Sequence, residues 1–192
     1  MSFDCCTWLN APSTWRLEPD CLFVETDLAT DFWRETHYRF VRDSGHFFGC
    51  ETAGDFTAQL RVRARYEALY DQAGIMVRLD QNSWVKAGLE SSDGQVLLSS
   101  VLTAGQSDWA TGTYEGDPAE FWLRVTVRGG VIRLQVSADG QRWPLMRLAP
   151  FPKAPSYRVG PMCCTPERSG LQVEFSDFQV APASEKALHD LS

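Results

Sequence analysis

Alternation of apolar and polar residues is the feature that most constrains the fold of this chain. In the stretch "FTAQLRVRARY", residues 56–66, every second side chain from Phe56 to Ala64 is apolar and those between are polar. Successive side chains of a β-strand point to opposite faces, so this period indicates a strand with one buried and one hydrated face. The three arginines of the stretch then lie on the hydrated face.

Segments of the same kind follow along the chain: residues 73–79, 84–90, 95–103, 121–127, 131–137 and 171–180. Turn dipeptides such as Asp93-Gly94 and Asp139-Gly140 separate them, as in antiparallel hairpins. No segment before the last dozen residues has a sustained apolar period of 3.6, so crossover helices are not expected. The pattern predicts an all-β fold, a two-sheet antiparallel jelly-roll sandwich.

Length and composition fit one such sandwich. A chain of 192 residues with 44% hydrophobic content can form a sizeable core. We assign residues 1–181 to a single domain and residues 182–192 to a C-terminal tail that forms a short helix or frays.

The net charge of −7 and the lack of a basic cluster argue against nucleic acid or an anionic membrane as a partner. No apolar run approaches the roughly 18 residues of a membrane span. The N-terminal "MSFDCCTWLN" has an acidic residue where a secretory signal has basic ones. These features predict a cytoplasmic protein.

The cysteines and histidines lack the spacing of metal sites. Cys5-Cys6 and Cys163-Cys164 are adjacent pairs, Cys21 and Cys50 stand alone, and no C-x-x-C occurs. Two of the histidines, at positions 37 and 46, are also too far apart in sequence for a ligand motif. We therefore expect six reduced thiols, no metal and no cofactor.

Several motifs together resemble a known family: "DFWRETHYRFVRDSGHFF", "YDQAGIMVRLDQNSWVKAGLE", "SDW" and "VGPMCCTPERSGLQVEFSDF". They are similar to an uncharacterised family of concanavalin A-like domains named for regulation of enolase in one fungal member. More distantly, they resemble the C-terminal β-sandwich of bacterial β-xylosidases. The resemblance implies a jelly roll of the concanavalin A-like lectin/glucanase type, with one concave and one convex sheet. It implies no established catalytic residues.

The segment "WVKAGLE" supplies a candidate binding face. Alternation sends Val85 and Leu89 to the core, and Trp84, Lys86 and Glu90 to the opposite face. An indole that stacks on a sugar ring beside charged groups that bind its hydroxyls is typical of a carbohydrate surface. The alternative is that Lys86 and Glu90 only solvate the outside of a strand.

The preceding strand places Gln72 and Arg78 on the same face as Lys86. A three-residue loop at 81–83 pairs Arg78 with Lys86, whereas a two- or four-residue loop aligns Val77 with Lys86. We favour the former, because it keeps both apolar sets on the core side. The resulting like-charge pair then requires an acidic partner or an anionic ligand.

Other aromatic residues are candidate rim contacts: Trp33, His37, Tyr70 and Trp109. Alternation around "HYRF" assigns Tyr38 and Phe40 to the core and His37 to the other face. Trp109 lines the rim or plugs the end of the sandwich, and the sequence does not distinguish these two positions.

Three classes of function follow. The leading hypothesis is a non-catalytic sandwich that binds a glycan or another small polar ligand. The second is a glycan hydrolase that uses Glu90 with a second carboxylate, such as Asp71 or Glu35, although the E-x-D-x-x-E arrangement of β-glucanase-like enzymes is missing. The third is a regulatory protein-interaction module, which requires a broad exposed apolar patch.

Overall fold

The computed structural model describes residues 2–192, and strands make up most of it. A short 3-10 helix, η1 (Phe3–Cys5), precedes them. The strands are β1 (Cys6–Leu9), β2 (Thr14–Glu18), β3 (Cys21–Glu25), β4 (Phe32–Arg34), β5 (Val41–Asp43), β6 (His46–Ala53), β7 (Phe56–Ala64), β8 (Gln72–Asp80), β9 (Ser83–Ser92), β10 (Gln95–Ala104), β11 (Gln106–Thr113), β12 (Glu120–Arg128), β13 (Val131–Ser137), β14 (Leu145–Pro150), β15 (Ser156–Cys164) and β16 (Gln172–Pro182).

The strands form two seven-stranded sheets and one small hairpin. The first sheet has the order β1-β6-β15-β8-β9-β10-β11, and the second has the order β14-β13-β12-β7-β16-β3-β2. The hairpin β4–β5 stands apart from both. Adjacent strands run antiparallel throughout residues 2–192, which confirms the predicted antiparallel sandwich.

The main core lies between the two sheets, where the alternation places it. In β7 the predicted set from Phe56 to Ala64 is buried, and Val85, Ala87 and Leu89 of β9 join the same apolar cluster. Because these residues fill the inter-sheet space, their alternating neighbours point to the outer faces of the sheets. The candidate residues Lys86 and Glu90 therefore lie on the outer face of the first sheet.

The predicted register between β8 and β9 is wrong by two residues. Met76 lies opposite Lys86, and Arg78 lies opposite Trp84. The pairing shifts between Arg78 and Asp80, where an irregularity shortens the connection to Ser83. A shift of two keeps every side chain on its predicted face, so the inward and outward sets are unchanged.

Two facing glycines bring β8 and β9 together. Gly74 pairs with Gly88, and a Cβ atom at either one would collide with the backbone of the opposite strand. No side chain projects between Gln72 and Met76 or between Lys86 and Glu90. The outer face of the sheet therefore has a gap beside these polar residues.

The C-terminal residues lie along the outer face of the second sheet. Arg133 donates to the carbonyl oxygens of Lys186 and Ala187 at 3.3 Å, and the Trp143 amide donates to Leu191 at 2.8 Å. The short helix offered as one alternative for this tail does not form. In residues 2–192 no helix has the length and apolar character needed to cross a bilayer.

Candidate functional site

The β4–β5 hairpin covers the outer face of the first sheet. Phe32 and Trp33 of the hairpin pack on Phe47, Met76 and Trp84, and form a second apolar cluster outside the main core. Phe32 is fully buried and its ring lies 6.0 Å from that of Trp84. This cover removes part of an outward-facing strand surface from water.

A cavity of about 300 Å³ lies between this cover and the sheet. Its aromatic lining residues are Trp33, Tyr38, Phe40, Tyr70 and Trp109. Its polar and charged lining residues are Asp31, Arg42, Gln72, Lys86, Glu90 and Glu167. We call this cavity the aromatic pocket; its volume is at the lower end of the range for small-molecule sites.

Lys86 is the cation of the pocket floor. Its ammonium group donates to Asp31 Oδ1 at 2.9 Å and to Gln72 Oε1 at 2.6 Å, and the residue is only 4% exposed. Burial by itself lowers the pKa of Lys86, but the charge and hydrogen bond of Asp31 and the charge of Glu90, together with Cys164, outweigh that effect and raise the pKa above its ordinary value. Lys86 is therefore a fixed positive charge at neutral pH.

Glu90 is the second buried ionisable group of the floor, at 5% exposed. Ser99 donates a short hydrogen bond to Glu90 Oε2, and Trp109 Nε1 donates to Ser99 Oγ at 3.0 Å. Burial raises the pKa of Glu90, and the attraction of Lys86 offsets only part of this rise. The floor thus connects directly to the aromatic wall through Ser99.

The aromatic walls are held by their mutual contacts. Trp109 is nearly perpendicular to Trp33 at a ring distance of 6.4 Å and lies 6.3 Å from Tyr70. The hydroxyls of Tyr38 and Tyr70 are 3.4 Å apart, and this hydrogen bond raises the pKa of Tyr70 to about 12. The Tyr70 phenol therefore stays neutral at physiological pH, and the hydroxyls of both residues can donate or accept a hydrogen bond.

The turn from Glu35 to Phe40 builds one wall, and here the predicted strand alternation is wrong. Glu35, His37 and Arg39 have positive φ angles of about 60°, which breaks the extended conformation at every second residue. Tyr38 and Phe40 are consequently 46% and 39% exposed and line the pocket instead of entering the core.

The structure brings six of the nine sequence-predicted candidates into the aromatic pocket: Trp33, Tyr70, Gln72, Lys86, Glu90 and Trp109. The other three lie elsewhere. Arg78 forms a bidentate ion pair with Asp43, with N–O distances of 2.7 and 2.8 Å. Trp84 is fully buried in the second apolar cluster. His37 stacks edge-on against Tyr38 outside the lining.

The predicted role of Trp84 and the alternative offered for Lys86 and Glu90 both need correction. Trp84 cannot stack on a ligand, because the hairpin encloses it. Lys86 and Glu90 are not solvated strand positions, since the same cover buries them. Substitution of either residue should therefore affect folding, contrary to the expectation for an exposed position.

Sequence reasoning missed Asp31, the carboxylate that pairs with Lys86. Asp31 precedes β4 in a polar turn, where its Oδ1 accepts the Phe32 amide at 2.8 Å. A signal did exist, because two cations on one covered face require acidic partners. The structure supplies Asp31 for Lys86 and Asp43 for Arg78.

A larger, open groove of about 930 Å³ lies on the second sheet and the loops beside it. Its lining includes Trp15, Arg63, Glu120, Arg168 and Glu174. Most of these charges pair with one another: Arg63 with Glu120 at 3.2 Å and with Glu174 at 3.1 Å. Its groups are partly exposed, so the groove offers less desolvated binding surface than the aromatic pocket.

A thiol cluster lies at the other end of the first sheet. Strand pairing places Cys6 opposite Cys50, and Cys5 completes a group of three free thiols. A hydrogen bond with Cys6 lowers the pKa of Cys50 to about 6, and the same bond raises the pKa of Cys6. Local spacing gave no sign of this cluster, because a strand pairing creates it.

The chain is similar to a described protein family and to a yeast protein. It matches the family model described as "Protein of unknown function (DUF1349)" over residues 8–183. It is also 60% identical over 186 residues to the Saccharomyces cerevisiae protein named "Regulation of enolase protein 1", which covers 97% of this chain and 94% of the yeast protein.

Solved structures extend the comparison. A structure of a functionally unknown protein from Saccharomyces cerevisiae has a TM-score of 0.95 at 57% identity and covers 96% of this chain and 100% of that chain. A mutant of the GH43 protein BlXynB from Bacillus licheniformis has a TM-score of 0.72 at 16% identity, and the match covers 94% of this chain and 38% of that chain. The second likeness is one of fold alone. The resemblances expected from the sequence are confirmed.

Proposed function

The chain belongs to the DUF1349 family, and we propose that it is a non-catalytic module that binds a carbohydrate, or a small polar ligand of similar shape, in the aromatic pocket. The observation that carries this proposal is the combination of five aromatic side chains with a floor of buried, ordered charges. A sugar has both an apolar C–H face and a ring of hydroxyls, and this lining offers a partner for each.

The floor can both donate hydrogen bonds to hydroxyl groups and accept hydrogen bonds from them. Lys86 has three N–H donors and directs two of them to Asp31 and Gln72. Glu90 accepts from Ser99 through one oxygen. The remaining donor and acceptor capacity suits a hydroxyl, which can donate and accept at once. Because the floor is fixed by its own bonds, little ordering is needed when a ligand binds.

A screen of ligands tests this proposal. The panel consists of glucose, galactose, mannose, xylose and their β-1,4-linked disaccharides, measured by thermal shift. A ligand that binds the native state raises the melting temperature with concentration. Tyr70→Ala should abolish that rise, whereas Trp15→Ala, in the larger groove, should keep it.

Two results of this screen would contradict the proposal. One is a flat melting temperature with every sugar of the panel. The other is a rise that Trp15→Ala removes and Tyr70→Ala preserves, since it would place the sugar in the groove on the second sheet.

A hydrolase is the second candidate, and the raised pKa of Glu90 favours it. A protonated carboxyl beside an ionised one is the arrangement of general acid and partner in glycosidases. The sequence-based partners do not fit, because Asp71 pairs with Arg168 at 2.6 Å and neither Asp71 nor Glu35 lines the pocket. Asp31 and Glu167 do line it. Nitrophenol release from aryl glycosides that Glu90→Gln abolishes would favour this candidate over simple binding.

A regulatory role is the third candidate, and the name of the yeast relative favours it. The exposed large apolar residues Val131, Leu145 and Leu148 lie on the neighbouring strands β13 and β14. Biolayer interferometry with purified enolase tests direct association. A loss of binding in Leu148→Ala would assign the contact to this edge.

A further inference from the structure

We propose that Cys5, Cys6 and Cys50 form a three-thiolate site for a soft metal ion, Cu(I). The sulfur atoms of the three residues all lie within 4.8 Å of one another. Cys6 of β1 lies opposite Cys50 of β6, and Cys5 is the last residue of η1, directly before Cys6. The site is separate from the aromatic pocket, which none of these residues lines.

The spacing of the sulfurs matches three-coordinate binding. A metal–sulfur bond of about 2.3 Å places the corners of a planar MS₃ unit about 4.0 Å apart. The thiol cluster needs only a small contraction to reach this separation. A disulfide would join only two of the three sulfur atoms, whereas a three-coordinate metal ion would bind all three.

The segment that carries Cys5 and Cys6 is anchored, so the site is preorganised. Phe3 of η1 is buried and stacks on Phe178 at 5.2 Å. Cys50 is fully buried in the main core, and Cys6 packs against it. Fixed ligands lower the entropic cost of binding an ion.

The number and softness of the ligands favour Cu(I) over Zn(II). Structural zinc takes four ligands, and no fourth cysteine, histidine or carboxylate joins the group within residues 2–192. Thiolates prefer soft ions such as Cu(I), which accepts three sulfurs. Binding releases the thiol protons to solvent without a change in oxidation state. The positive charge of Arg158 interacts with Cys6 and Cys50 and offsets part of the thiolate charge.

The test is a titration of the reduced, full-length protein with Cu(I) under anaerobic conditions, in competition with bathocuproine disulfonate. We expect one equivalent of Cu(I) per chain and X-ray absorption that shows three sulfur neighbours. Cys50→Ser and Cys5→Ser should each weaken binding more than about a hundredfold, since even changes outside the ligand shell cost ten- to a hundredfold. Cys21→Ser, on the second sheet and outside the group of three thiols, is the matched control and should leave affinity unchanged.

Cys5 is exposed, so Cys5→Ser carries the test even where Cys50→Ser disturbs folding. Binding that survives Cys5→Ser undiminished overturns the proposal. So does a bound ion with nitrogen or oxygen neighbours. A reduced protein that takes up no Cu(I), and forms only a Cys6–Cys50 disulfide in air, overturns it equally.

Discussion

The outer faces of the two sheets carry the same kinds of charged residue, but they differ in what lies over them. On the first sheet Lys86 and Glu90 are 4% and 5% exposed, because a hairpin and a turn cover them. On the second sheet the side chains of Arg63 and Glu120 remain 45% and 33% exposed. Cover by other elements, more than the number of charges, therefore converts an outer strand face into a candidate site. Covered charges must be paired and fixed, whereas exposed ones need only water.

Loss of the covered ion pair between Asp31 and Lys86 should lower stability strongly. Asp31→Ala should lower the free energy of unfolding by about 3 kcal/mol, because it leaves the buried Lys86 ammonium without its counter-charge. Glu174→Ala, which breaks the exposed pair with Arg63, should cost less than about 1 kcal/mol. Urea denaturation measures both. Equal losses would remove the distinction between the two faces.

The next effect concerns ligand affinity. Trp109→Ala removes an aromatic wall of the pocket, and Trp122→Ala removes an indole from the outer face of the second sheet. Loss of an aromatic contact worth about 1.4 kcal/mol weakens binding about tenfold. Calorimetry with the tightest-binding sugar of the panel should show this loss for Trp109→Ala alone. A similar loss in both variants would indicate a general effect on folding.

The smallest effect is on the pH dependence of folding stability, to which Glu90 on the first sheet and Glu120 on the second contribute with opposite signs. Burial raises the folded-state pKa of Glu90, so its contribution to stability is present at low pH and is lost as pH rises through that pKa. Burial also raises the pKa of Glu120, but the hydrogen bonds and positive charges of Arg61 and Arg63 together outweigh it and lower the pKa. The stability from Glu120 is therefore present above its unfolded pKa and is lost as pH falls through the folded one.

Two glutamine variants separate these contributions. The unfolding free energy of the parent minus that of Glu90→Gln should fall as pH rises above about 4.3, the ordinary pKa of glutamate. The same difference for Glu120→Gln should fall as pH drops below that value. Denaturation at a series of pH values measures both slopes, and slopes of the same sign would contradict the account of Glu90 as a buried acid.

The sandwich could be predicted from the sequence because alternation reports directly on the inter-sheet core. Phe56 to Ala64 of β7 and Val85 to Leu89 of β9 are buried as their pattern indicates. Register could not be predicted, since the irregularity between Arg78 and Asp80 depends on the local geometry of the connection.

The candidate site was only partly predictable. Alternation shows that Trp84, Lys86 and Glu90 point outward, but it does not show that a hairpin more than forty residues earlier in the chain covers them. Alternation thus assigns Trp84 to a binding surface although it forms part of a second core. Alternation assigns Tyr38 and Phe40 to the core, because the positive φ angles in their turn are not visible in a pattern of hydrophobicity.

The indole N–H signals of the tryptophans report by NMR whether a sugar binds in the aromatic pocket, as we propose. On titration with the sugar that raises the melting temperature most, the signals of Trp33 and Trp109 should shift, because both line the pocket. Those of Trp15, in the larger groove, and Trp122, on the second sheet, should stay in place. Shifts at Trp15 or Trp122 with Trp33 and Trp109 unchanged would contradict the account.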